Sequence, residues 1–516
     1  LIEKHLLNNS HRLNYSLVPD INFTKEAEER IQKKVLEKAK NLTLDEKDEI
    51  VKLAVALEKR QESHDDPEIL PKVTKEDIPS ERKYASPVIK TFGSTSNYFY
   101  KSGTNGIVYH SMLFPCDALT DDELKIASLF SSSMTDIGLG KDSYEEIQKY
   151  QSSVTGGIST SFVMLPNESN NDLRLALKIS GKSLEKNHLL MQELMLRTMN
   201  ESNFTESQRI KELLDFISSG NEKSVIQNGH ILAMSNAASQ LNGIASINDL
   251  TSGVQFINNT SELSKGILED GNLEKYMETL KSIKSKIGLS PSHSFTAASL
   301  QQDKLKLKDE FSSEPYSFKN QDLSDVQQNS IGWLTGSQVC FCAEAFPSVD
   351  SKHADAPALT VLGAVLRNGY LHSAIREKGG AYGSGASQDS YNEVFKFFSY
   401  RDPKCSETFN EFKKSREWSK NKITSDQLDE GVLGVISSID KPLSPFGEAM
   451  NDFMGELDYK KHEDRLLFRS KVKDCTIEDL VYVSEKYLFN SSKSSVIAGE
   501  AFENEIQNLG FTLKNI

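Results

Sequence analysis

Arg376 and Tyr382 are the two side chains whose types and spacing most suggest chemistry. They flank a glycine pair in the stretch Ile375-Arg376-Glu377-Lys378-Gly379-Gly380-Ala381-Tyr382-Gly383. A helix carrying Arg376 is expected to end at Gly379 and Gly380, which accept left-handed backbone, and the chain then re-emerges as a strand bearing Tyr382. Such a turn, with Gly383 as its third glycine, brings a fixed cation and a phenolic donor close in space. On periodicity alone, a charged helix end, a glycine cap and an ordinary aromatic strand residue are the simpler reading.

Other constellations are incomplete. The ten histidines contain no pair four residues apart around a glutamate, which both common helical zinc motifs require; the nearest pair, His5 and His11, is six apart. Gly181-Lys182-Ser183 has Ala176 where a phosphate loop needs its first glycine. Gly138-Leu139-Gly140 and Gly383-Ser384-Gly385 lack the third glycine of a dinucleotide fingerprint, and there is no Gly-x-Ser-x-Gly elbow. The chain therefore shows no metal ligand set of its own.

The elements that must position Arg376 and Tyr382 are visible as a duplication. Phe204-Thr205-Glu206-Ser207-Gln208, ending in Ile217-Ser218-Ser219, overlays Ile423-Thr424-Ser425-Asp426-Gln427, ending in Ile436-Ser437-Ser438, at an offset of 219 residues. Upstream, Thr155-Gly156-Gly157-Ile158-Ser159 overlays Lys378-Gly379-Gly380-Ala381-Tyr382 at 223. Each copy has an apolar helix pattern (Leu124, Ala127, Met134; Leu359, Leu362, Leu366), the double glycine, a strand-like run (Leu175 to Ile179; Val394 to Phe398) and further helices. One α/β domain is used twice. At Asp402-Pro403 the next helix is expected to start, with Asp as N-cap and Pro at the first helical position. Before the copies, residues 24 to 63 read as a polar helical hairpin, its second helix opened by Thr43 and Glu46 in capping-box positions. A connector punctuated by Pro67, Pro71 and Pro79 follows. The expected division is residues 1–80 for the end of a preceding domain and the hairpin, 81–310 for one repeat and 311–516 for the other.

With 516 residues and a net charge of -14, the chain is long enough for several cores and too acidic for a nucleic-acid partner. It has no apolar run of membrane-spanning length. Five scattered cysteines read as reduced thiols without a disulfide framework, with Cys340 and Cys342 on one strand face as core. The sequence opens at Leu1 without an initiator Met or leader features, and reads as a fragment of a longer protein.

Arg376-Glu377-Lys378-Gly379-Gly380-Ala381-Tyr382-Gly383, followed by Phe398-Ser399-Tyr400-Arg401-Asp402-Pro403, resembles the C-terminal half of the large single-chain pitrilysin-like zinc peptidases of the presequence-protease type, with falcilysin-like relatives. The opening Leu1 to Arg12, Thr155 to Ile158 and Ile217 to Asn228 resemble that family as well, so the likeness spans essentially the whole chain. It implies two duplicated α+β sandwich domains of the processing-peptidase type after a helical linker. It also implies that zinc and its ligands lie in an N-terminal half absent here, which would be this chain's partner. Arg376 would anchor the substrate backbone and Tyr382 would hydrogen-bond the scissile carbonyl, with Gly379 and Gly380 setting their geometry. The implied substrates are unfolded, often basic peptides such as cleaved targeting sequences, and the implied location is the mitochondrial matrix. The alternative is a non-catalytic scaffold subunit of the same fold in a processing or respiratory complex. Ser384 stands where glycine is common in the family.

Overall fold

The computed structural model describes residues 1–20, 22–62, 69, 73–166, 173–308, 311, 320–321 and 330–516. Contacts divide the chain into Leu1–Lys72 and Val73–Ile516. In the first unit, helices Phe23–Asn41 and Leu44–Glu62 form the expected hairpin. The turn between them is capped as the sequence predicts: Thr43 N donates to Glu46 Oε2 (2.8 Å) and Glu46 N to Thr43 Oγ1 (3.2 Å). Pro67 and Pro71 of the expected connector lie outside the described residues. No helix among the described residues is long and apolar enough to cross a membrane.

The second unit holds two sheets. The first comprises β1 (Val88–Phe92), β2 (Thr95–Lys101), β3 (Ile107–Cys116), β4 (Ile158–Pro166), β5 (Leu173–Leu184) and β6 (His293–Ala298), in the order β1-β2-β6-β3-β5-β4. The second comprises β7 (Ile331–Thr335), β8 (Phe341–Pro347), β9 (Gly383–Asp389), β10 (Val394–Tyr400), β11 (Lys493–Gly499) and β12 (Thr512–Asn515), in the order β12-β7-β11-β8-β10-β9. Five strands of each sheet pair identically. β2 runs parallel to β6 as β7 does to β11, and every later pairing is antiparallel. The outer edges differ, because β1 joins β2 antiparallel whereas β12 joins β7 parallel. The duplication read from the sequence is thus a duplication of topology.

Both faces of each sheet are apolar, so each must be covered twice. Met112, Phe114, Leu175, Leu177 and Ile179 pack on the first repeat's own helices, including Asp121–Ser133 and His188–Glu201. The opposite face, with Tyr100, Leu113, Phe295 and Ala297, is covered by Ala449, Phe453 and Leu457 of helix Pro445–Leu457, which belongs to the second repeat. The reciprocal arrangement holds on the second sheet. Ile331, Trp333, Phe341, Ala343 and Ile497 are covered by Val225, Leu232, Ala233 and Ala237 of helix Ser207–Ser239, from the first repeat.

At the 219-residue offset, the C-terminal half of Ser207–Ser239 corresponds to Pro445–Leu457. The first copy is one continuous 33-residue helix. In the second copy Pro442 and Pro445, which cannot sit in a helix interior, split it into Ser425–Asp440 and Pro445–Leu457.

One sequence expectation is corrected. The helix after β10 starts at Ser406, with Cys405 rather than Asp402 as its N-cap. Asp402 is fully buried, its backbone bridges Cys340, and its carboxylate accepts from Thr408 Oγ1 (2.6 Å) and Lys404 N (3.0 Å). The carboxylate therefore closes a turn before the helix begins, and Pro403 lies in that turn.

Two outcomes are expected. A Cβ at Gly229 would lie 2.5 Å from the Phe341 ring, so Gly229→Ala overpacks the junction between long helix and second sheet. Chemical denaturation is expected to show a loss of about 1–3 kcal/mol. Separately, His110 is buried as a neutral ring between Thr296 Oγ1 (2.9 Å) and the Gln192 amide (3.2 Å), and burial lowers its pKa to about 4. Between the ordinary value of 6.5 and about 4 the unfolded chain takes up a proton that the folded chain refuses, so stability falls as pH falls through that window. The slope is about 1.4 kcal/mol per pH unit for this one group. His110→Gln is expected to flatten the stability–pH curve there by that amount, as measured by urea denaturation at stepped pH.

Candidate functional site

Helix Ala356–Leu366 continues without a break into a wider π-helical segment, Arg367–Glu377, which carries Arg376 in its last turn. Leu371 and Ile375 anchor the inner side of that segment in the core, leaving Arg376 exposed on the other. The segment ends through Lys378 N to Ser373 O (3.0 Å), Gly380 N to Arg376 O (3.0 Å) and Ala381 N to Ile375 O (3.1 Å). Gly380 takes the left-handed conformation with φ +90°. Gly379 is needed for a different reason, since a Cβ there would stand 2.4 Å from Ile375 O. Gly383 is not part of the turn: it is the first residue of β9 and its Cβ would meet only ordinary contact.

The turn brings Arg376 and Tyr382 together, with the guanidinium carbon 6.0 Å from the ring centroid. Tyr382 is 67% exposed. Its backbone is nonetheless fixed, because its N–H donates to Tyr400 O (3.0 Å) and Arg401 O (3.3 Å). Its ring packs edge-on against Tyr400, centroids 5.7 Å apart. Behind Tyr400 stands His230 of the long first-repeat helix, at 4.6 Å between rings. Arg376 Nη1 lies 3.3 Å from His372 Nε2, and His372 Nδ1 lies 3.6 Å from Glu377. Ser384 is buried and donates to Leu371 O (3.0 Å), pinning β9 to the π-helical segment.

Sequence reasoning missed Tyr400, His230 and His372 as supports. His372 could have been found from its four-residue spacing to Arg376, which places both on one helical face. His230 could not, since it is 152 residues from Tyr382 and belongs to the other repeat.

The site presents two exposed donors, one cationic and one phenolic. Among the described residues, Cys340, Cys342 and Cys405 are the one group of three potential metal ligands whose donor atoms gather. They are buried and include no histidine, so the residues present do not fit a hydrolytic zinc with an open position.

Residues 17–263 match the family model for the domain associated with peptidases of family M16, subfamily C, and residues 337–497 match the "PreP C-terminal domain". The chain belongs to the M16 peptidase family. Curated relatives named "Presequence protease, mitochondrial" are 28% identical in Yarrowia lipolytica, over 98% of this chain and 51% of that protein, and 27% identical in Saccharomyces cerevisiae, over 97% and 52%. The chain therefore spans about half the length of the curated relatives it matches. Among solved structures, a peptidase M16 inactive domain from Pseudomonas fluorescens superposes with a TM-score of 0.56 at 15% identity, covering 80% of this chain and 98% of that one. A Helicobacter pylori protease superposes at 0.54 and 14%, covering 81% and 100%. These establish the M16 fold for the duplicated part of the chain.

At Gly380 a Cβ would meet nothing closer than Pro403 at 3.5 Å, so a substitution there is penalised only through the backbone. Gly380→Ala is expected to cost about 1–2 kcal/mol in denaturation experiments, whereas Gly383→Ala is expected to cost less than 1 kcal/mol or so, the usual range for a surface change.

Proposed function

We propose that this chain is the C-terminal, substrate-binding half of a zinc metalloendopeptidase of the presequence-protease type, acting on unfolded peptides such as cleaved mitochondrial presequences. The observation that carries the reading is the convergence of Arg376 and Tyr382, both exposed on a rigid turn, in a chain of this family. Zinc and the general base belong to the N-terminal half, the partner over which this half closes. Arg376 holds the backbone of the peptide. The Tyr382 phenol donates to the scissile carbonyl oxygen as negative charge develops there, and a fixed donor in a water-poor chamber is worth on the order of 3 kcal/mol. Gly379 and Gly380 set the distance between the two, and the sites belong to the repeat at 311–516, with the other repeat at 81–310 and the linker within 1–80. The names of the relatives favour the mitochondrial matrix as location. They also favour a peptidase over a scaffold subunit, which would have no use for an exposed Arg–Tyr pair.

The test is reconstitution of this chain with the zinc-bearing half from the same organism and a fluorogenic presequence peptide. Chelator-sensitive cleavage is expected only in the mixture. Arg376→Ala and Tyr382→Phe are each expected to lower turnover about 100-fold, with thermal unfolding unchanged. Full turnover in both variants would remove the site assignment, and a stable zinc-loaded complex without cleavage would favour the scaffold.

A further inference from the structure

Three thiols meet in the core of the second repeat. Cys340 and Cys342 share a face at β8, and Cys405 comes from the N-cap of helix Ser406–Ser419. The Cys340–Cys342 and Cys342–Cys405 sulfur separations are both 3.8 Å, and all three sulfurs lie within 4.8 Å of one another. All three residues are fully buried. A point equidistant from such a triangle lies about 2.2–2.5 Å from each sulfur, which is the length of a metal–thiolate bond. Hydrogen bonds from Cys340 and Cys342 draw the Cys405 thiol below its ordinary pKa.

We propose that Cys340, Cys342 and Cys405 form a three-coordinate site for one soft monovalent d10 cation of the Cu(I) type, distinct from any hydrolytic zinc. Soft thiolates select such ions, and no fourth histidine, cysteine or carboxylate among the described residues joins the cluster to complete the tetrahedron that structural Zn(II) takes. Uptake of one Cu(I) with release of two protons, the third thiol staying neutral, leaves a single negative charge. The N-terminus of the helix beginning at Ser406 stands beside Cys405 to offset it.

Occupancy would reach the exposed pair. Cys340 Sγ now donates to the carbonyls of Asp402 (3.3 Å) and Lys404 (3.2 Å). The same loop supplies Tyr400 O and Arg401 O to the Tyr382 amide, and Pro403 against Gly380. Binding the sulfur to a cation withdraws that donor and loosens the loop under Tyr382.

The test uses the full chain, anaerobically, with Cu(I) buffered by a competing chelator and with Zn(II) in parallel, both added to native protein and during refolding because the thiols are buried. One Cu(I) per chain is expected, with a thiolate-to-copper ultraviolet band, lost in Cys342→Ala and in Cys405→Ala and kept in the Cys116→Ala/Cys475→Ala double variant. Folding of each variant is checked by circular dichroism, and Cys340→Ala serves as substitute if one fails to fold. Amide exchange at Tyr382 is expected to quicken on loading. Absence of uptake even on refolding, uptake retained in the folded alanine variants, or tighter binding of Zn(II) than Cu(I) would overturn the site. Uptake with unchanged Tyr382 exchange would overturn its coupling to the turn.

Discussion

The structure depends on an exchange of helices between two copies of one domain. Each sheet is apolar on both faces, and each repeat's other helices cover only one of them. Helix Ser207–Ser239 of the first repeat fills the open face of the second sheet, and helix Pro445–Leu457 of the second fills the open face of the first. Neither repeat can bury its own sheet alone, so the two halves of Val73–Ile516 form one cooperative body. Polar groups fix the register of this exchange. Asn236 on the long helix accepts from Trp333 Nε1 (3.2 Å) and Ser495 Oγ (2.8 Å) of the second sheet, and Asp452 accepts from Tyr100 OH (2.9 Å) of the first. Each of these groups is buried, and leaving one unpaired costs about 1–3 kcal/mol. The matching hydrogen bonds therefore select one docking position for each helix.

The exposed Arg376–Tyr382 pair inherits its rigidity from that exchange. The long helix of the first repeat places His230 behind Tyr400, and Tyr400 supports both the ring and the amide of Tyr382. Burial lowers the pKa of His230, which keeps an uncharged ring at that support. A side chain two-thirds exposed can thus be held in place by a backbone that is fully tied, so little ordering entropy is left to be lost when a peptide arrives. The π-helical segment contributes by widening the last turns before Gly379, and such segments recur at functional positions because they re-aim side chains.

Several features were legible in the sequence because they are local. Thr43 and Glu46 cap the hairpin's second helix with the reciprocal bonds that their spacing requires. The duplicated double glycine marks the same structural point twice, ahead of β4 and ahead of β9. Asp402 misled for an equally physical reason. Asp-Pro suits a helix start, but here a buried backbone bridge to Cys340 holds Asp402 at the sheet and delays the helix to Ser406. Ser384, expected to matter little, ties β9 to the segment bearing Arg376.

By itself the sequence determined the α/β repeat, the hairpin, the glycine turn and the pairing of Arg376 with Tyr382, because each follows from residues within a few positions of one another. The break at Pro442 and Pro445 was equally open to reading, since proline cannot occupy a helix interior. Only the tertiary structure decided which sheet each helix covers, that His230 stands behind Tyr400, and that Cys405 joins Cys340 and Cys342 from more than sixty residues away. Those outcomes depend on how two apolar faces with similar patterns choose partners, and hydrophobicity alone does not specify direction. Shape and the few buried hydrogen bonds make that choice, and neither can be seen until the surfaces meet.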